Sequence, residues 1–127
     1  MKREIKFRAF LNSKYYEKPR MLSWGELLEQ YDAIDMFQRD LMTLMQYTGL
    51  HDKNGRSIYE GDIIVTHPTT KYETPKSGVV QYGGSRPMFG YKAEDGDYYS
   101  IWSNNVYRTY EVIGNIFENP ELLEGKQ

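Results

Sequence analysis

The chain has no cysteine among its 127 residues, which excludes a disulfide framework, a thiol nucleophile, an iron–sulfur cluster and a thiolate zinc site. Histidine is almost as scarce: His51 and His67 are the only two, and neither has a second histidine at helical or strand spacing, the usual start of a metal site. No apolar run approaches the length of a membrane span. The first residues, Met1-Lys2-Arg3-Glu4-Ile5-Lys6-Phe7, lack the apolar stretch of a secretory signal. An excess of one charge is missing too, with 16 Lys and Arg against 18 Asp and Glu, a net charge of −2 and a pI near 5.7. That balance argues against a strongly basic nucleic-acid surface, although a local patch survives a global sum. Together these absences point to a cytoplasmic protein with no cofactor and no membrane contact.

Catalytic signatures are lacking as well. There is no Gly-Lys-Ser/Thr phosphate loop, no spaced glycine triplet opening a helix and no serine in a Gly-x-Ser-x-Gly elbow. Asp52-Lys53-Asn54-Gly55-Arg56-Ser57 superficially resembles a calcium loop, but the glycine such a loop needs at its sixth position is Ser57 here. A structural turn is the expected reading.

What is present is a foldable composition: 39% hydrophobic and 15% aromatic residues, with 12 tyrosines. This length suits one domain spanning 1–127. Charge is unevenly placed, residues 1–22 carrying net +5 and residues 23–40 net −4. A basic strand beside an acidic helix explains that pattern without a partner, whereas a basic arm for nucleic acid is the alternative.

Alternation of Ile5, Phe7 and Ala9 with Lys6, Arg8 and Phe10 predicts a strand with its odd face inward. Ser23 with Glu26 forms a capping-box start, and Trp24, Leu27, Leu28, Tyr31 and Ile34 recur at helical spacing, predicting an amphipathic helix near 23–33. Residues 35–44 fit either a continuing helix or an incoming strand. Leu44 to Thr48 reads as a strand, Asn54-Gly55 as a tight turn with positive φ, and Glu60-Gly61-Asp62 as a bend before a buried strand that Pro68 ends. A polar loop over Thr66–Lys76, strands from Gly78 and Met88, and a last strand over Tyr110–Phe117 follow. Tyr98–Trp102 fits a strand or one helical turn, and Asn119-Pro120 reads as an N-cap with proline opening a short helical turn. The sum is a mainly β domain, a small, partly open SH3-like barrel with one helix in the N-terminal half.

Two groups of residues are candidate sites. Tyr15 and Tyr16 with Lys14, Lys18 and Arg20 interleave aromatic and basic side chains, a pattern that stacks nucleobases and serves equally in protein interfaces. Gln46, Thr48, Tyr59, Glu60, Asp62 and Asn115 are hydrogen-bonding groups inside apolar segments, so they must satisfy one another or face a cleft.

Leu44-Met45-Gln46-Tyr47-Thr48-Gly49-Leu50, then Asp52-Lys53-Asn54-Gly55 and Ile58-Tyr59-Glu60-Gly61-Asp62-Ile63, closely resemble the signature of the YopX family of phage and prophage proteins. Ile5-Lys6-Phe7-Arg8-Ala9 and the run from Tyr110 to Leu123 are similar to the family's two ends. Phe10 follows Ala9 where the family usually has tryptophan, which keeps an aromatic anchor. The resemblance implies a β-rich fold and a phage or prophage origin in a bacterial host, and brings no established enzymatic activity. Tyr47, Tyr59 and Tyr110 fall within these motifs, leaving Tyr15, Tyr16, Tyr98 and Tyr99 as interface candidates. The expected function is therefore non-enzymatic: an accessory protein that binds a host or phage protein, or a second copy of itself. Single-stranded nucleic acid at segment 14–20 and an enzyme site around Glu60, Asp62 and Gln46 are the alternatives.

Overall fold

Strand β1, Phe7–Leu11, keeps its odd residues inward: Ala9 is fully buried, and Phe7 and Leu11 pack on the same core. The computed structural model describes residues 4–12, 19–71, 73–83, 88–101 and 108–123. These cluster into two compact units, Met1–Tyr47 and Thr48–Gln127.

In the first unit β1 lies antiparallel between β2 (Met21–Leu22) and the start of β3 (Met42–His51), with Ala9 opposite both Leu22 and Leu44. Ser23 caps helix α1 (Trp24–Glu29) with both halves of the predicted capping box: its hydroxyl accepts from the Glu26 N–H at 3.2 Å, and its own N–H donates to Glu26 at 3.1 Å. The helical stretch read over 23–33 does not run through. Gln30 is extended, and a second helix, α2, forms over Ala33–Gln38. The ambiguous residues 35–44 divide accordingly, helix to Gln38 and strand from Met42. Leu27 and Met36 are buried against Ala9, Leu22 and Met42, and Trp24 meets the Phe7 ring with centroids 5.9 Å apart.

The second unit takes the remainder of β3, which pairs with β4 (Ser57–Tyr59) through a turn at Asp52–Gly55. Gly55 alone in that turn has positive φ, at 85°, so the Asn54 backbone stays in the ordinary region. This is a bulged turn rather than one with two left-handed central residues. Strands β5 (Asp62–Pro68), β6 (Ser77–Tyr82), β7 (Phe89–Ala93), β8 (Tyr98–Ser100) and β9 (Arg108–Asn115) form an antiparallel sheet in the order β8-β7-β6-β5-β9. Tyr98 thus starts a strand. The segment read as loop from Thr66 begins as strand, because Thr66, His67 and Pro68 pair with Tyr110, Thr109 and Arg108.

The sheet curls into a half-barrel, giving the mainly β, partly open architecture expected from the sequence. Two devices bend it. The β5–β9 register jumps from Ile63–Gly114 to Ile64–Val112, which makes Ile113 a bulge and raises the local twist. Gly90 on β7 lets the chain cross close to β8, since a Cβ there would lie 2.4 Å from the Tyr99 carbonyl oxygen. Ile58, Ile64, Val80, Tyr91, Ala93, Ile101, Tyr110 and Val112 form one buried hydrophobic core in this unit. Pro120 opens a single 3-10 turn, Pro120–Leu122, but Asn119 makes no side-chain cap bond to it.

Candidate functional site

Of the polar residues singled out by sequence, Tyr59, Glu60 and Asp62 lie where β4 turns into β5, with Asn115 across the ladder from Asp62 and Thr48 bonded to β4 from β3. Gly61, at φ 85°, makes the corner, and Asp62, 1% exposed, accepts the Tyr59 N–H at 2.8 Å. Thr48 donates to the Ile58 carbonyl at 2.8 Å and accepts from Leu50. Asn115 stands opposite Asp62 across the β5–β9 ladder. Its side chain accepts from the Phe117 and Glu118 N–H groups and donates to the Glu118 carboxylate at 2.8 Å. The Asn119 side chain turns back to accept the Asn115 N–H at 3.2 Å, which is why it does not cap the turn that follows. Asp62 and Asn115 direct their polar atoms to backbone and neighbouring groups, so the corner is a folding device built from polar atoms. Gln46 belongs to the first unit, on β3 opposite Phe7.

One polar residue of comparable weight carried no signal beyond its turn. Asp52 is buried, accepts from Asn54 and Arg56 at 2.9 Å each, and accepts the Val112 N–H of β9, also at 2.9 Å. Burial pushes its carboxyl up, but the Val112, Arg56 and Asn54 N–H groups, helped by the Arg56 charge, hold it below the usual carboxylate range.

The tyrosine candidates separate. Tyr15, Tyr16 and Lys18 lie outside the described residues. Tyr98 is half-buried, its hydroxyl 3.0 and 2.9 Å from the Gln81 and Met88 carbonyls, and burial raises its phenol. Tyr99 stacks on Tyr91 with centroids 5.4 Å apart, donates to Asp95 at 2.7 Å and has the Lys76 ammonium 5.2 Å from its ring. Both therefore hold the β6–β8 region together. Arg20 reaches Glu26 at 2.9 Å, so this basic residue does meet the acidic helix of its own unit. The Ser23 N–H, and then Arg20, hold the Glu26 carboxyl below its ordinary range.

The apolar residues of the helical segment are the unexpected feature. Leu28 is 65% exposed, Tyr31 96%, Ile34 77% and Phe37 50%. Periodicity had placed Leu28, Tyr31 and Ile34 on a buried helix face. The break at Gln30 changes the phase: α1 turns Leu27 inward, α2 turns Ala33 and Met36 inward, and Leu28, Ile34 and Phe37 are left outside. Among the described residues, no group of three His, Asp or Glu side chains is placed to hold a metal ion, and no helix is long and apolar enough to cross a membrane.

The model of the YopX protein family matches residues 6–124. The chain belongs to the YopX family. The match takes in both units and, Ile5 apart, every motif on which the resemblance rested. Solved structures include a similar one, protein EF1440 from Enterococcus faecalis, 27% identical to this YopX-family chain over 95% of it and 99% of the other chain, with a TM-score of 0.54. No curated protein matches the sequence.

Proposed function

We propose that this YopX-family protein is a non-enzymatic accessory protein of phage or prophage origin, working in the bacterial cytoplasm, and that it acts by binding another protein. The observation that carries the reading is the exposure of Leu28, Tyr31, Ile34 and Phe37 within ten residues of chain. Large apolar side chains concentrated on a surface, with acids around them, are the pattern of a protein-binding patch. The buried corner around Asp62 and Asn115 supports the same reading, because its polar atoms are taken up locally.

Affinity capture from a bacterial lysate, followed by reconstitution with the purified partner, tests this. A saturable complex is expected. No reproducible partner, together with monomeric sedimentation of the protein alone, refutes the reading.

A further inference from the structure

Resting on the protein-binding reading, we propose that the outward side of α1 and α2 docks a basic amphipathic helix of the partner. Its apolar side would lie against Leu28, Tyr31, Ile34 and Phe37, and its lysines or arginines against Glu29, Asp32 and Asp40. The apolar part rests on phase. Ala33 and Met36, three residues apart on α2, face the core, while Ile34 and Phe37, also three apart, share another side and stay exposed. Tyr31 precedes them in the turn, and Leu28 lies in the last turn of α1.

The partner's chemistry follows from charge. Residues 23–40 hold five acids and one base. Glu26 is paired with Arg20 and Asp35 with Arg39. Among the described residues, no ion pair involves Glu29, Asp32 or Asp40, and the Asp32 carboxylate accepts only from the neutral Gln30 amide. This acidic surround repels anionic lipid headgroups and nucleic-acid phosphates. A second copy meeting it face to face would set like charges together, since a two-fold interface apposes the same patch of both chains. A helix with one apolar and one basic side fits both the exposed side chains and the unpaired acids.

The test uses the full chain and a fluorescent leucine–lysine peptide patterned as an amphipathic helix, with a leucine–glutamate peptide of identical pattern as control. The leucine–lysine peptide is expected to bind one-to-one, more weakly as salt rises, and the control not to bind. Glu29→Lys with Asp32→Lys, and separately Ile34→Ser with Phe37→Ser, should each weaken binding about tenfold. Glu121→Lys, on the second unit, should leave it unchanged. Circular dichroism checks each fold, and Glu29→Lys alone serves if a double variant unfolds. Unaltered affinity in both double variants overturns the proposal, as does an equal loss with Glu121→Lys, which would reduce the effect to net charge. Dimerisation abolished by Ile34→Ser overturns the choice of partner. A partner cross-linked only to other surfaces overturns this site and leaves the protein-binding reading standing, whereas the absence of any partner overturns both.

Discussion

Asp52 shows how one side chain ties together parts of the chain that local sequence cannot relate. Two of its bonds, to the Asn54 and Arg56 N–H groups, form the turn expected from Asp52-Lys53-Asn54-Gly55; the third, to the Val112 N–H, spans 60 residues. The turn that the first two brace was legible in the motif. The third was not, since nothing near Asp52 specifies which strand passes beside it. Because the folded carboxyl is held below its unfolded value of about 3.9, the folded state favours the ionised form. Its contribution is then fully present above about pH 4 and is lost as pH falls through the lowered folded value. Asp52→Asn replaces one acceptor oxygen with a donor facing backbone N–H groups, and is expected to cost about 2 kcal/mol at neutral pH. Urea melts of both proteins at pH 7 and pH 3 check this: the gap between them should narrow on acidification, and a constant gap would refute the assignment.

The helical segment shows where periodicity misleads at the scale of an element. Ser23 and Glu26 announced the start of α1 correctly, because a capping box is a local arrangement of four residues. The break at Gln30 has no proline or glycine to mark it, and apolar residues continue at helical spacing on both sides, so the sequence reads as one helix whose face includes Leu28, Tyr31 and Ile34. Tertiary burial selects Leu27 and Met36 instead. The end of α2 is better marked in the structure than in the sequence. The Leu41 N–H donates to Met36 and the Asp40 N–H to Phe37, the paired bonds that close a helix through a left-handed residue. That residue is Asp40, at φ 61°, where glycine is the usual occupant. A non-glycine residue there costs about 1–2 kcal/mol, partly offset by the extra freedom glycine gives the unfolded chain. Asp40→Gly is therefore expected to stabilise the protein by about 0.5–1 kcal/mol, raising the urea midpoint without changing the slope. A lower midpoint would mean that the Asp40 side chain contributes something the backbone argument omits.

At the scale of the whole chain, open sheet edges are where one copy could pair with another. Among the described residues the edge strands β2, β4 and β8 are two to three residues long, too short to template another strand, whereas β9 runs for eight. Three of its outward groups are already occupied: the Tyr110 carbonyl accepts from the Lys53 N–H, the Val112 N–H donates to Asp52, and the Val112 carbonyl accepts from the Arg56 guanidinium at 3.2 Å. The β3–β4 turn thus covers the middle of this long edge, and the motif that most clearly signals the family reaches a strand far away in sequence, which predicts that it shields that edge. Asp52→Ala combined with Arg56→Ala should uncover the Val112 N–H and carbonyl while leaving the β5–β9 ladder, whose bonds lie on the other side of the strand, intact. Sedimentation velocity over a range of concentrations is then expected to show self-association of the double variant well beyond that of the wild type, with faster hydrogen exchange at the Val112 amide and continued protection in β5. If the Val112 amide exchanges quickly and the variant still sediments as the wild type does, the turn stabilises β9 without guarding its edge, and the edge is kept from pairing by its twist at the Ile113 bulge instead.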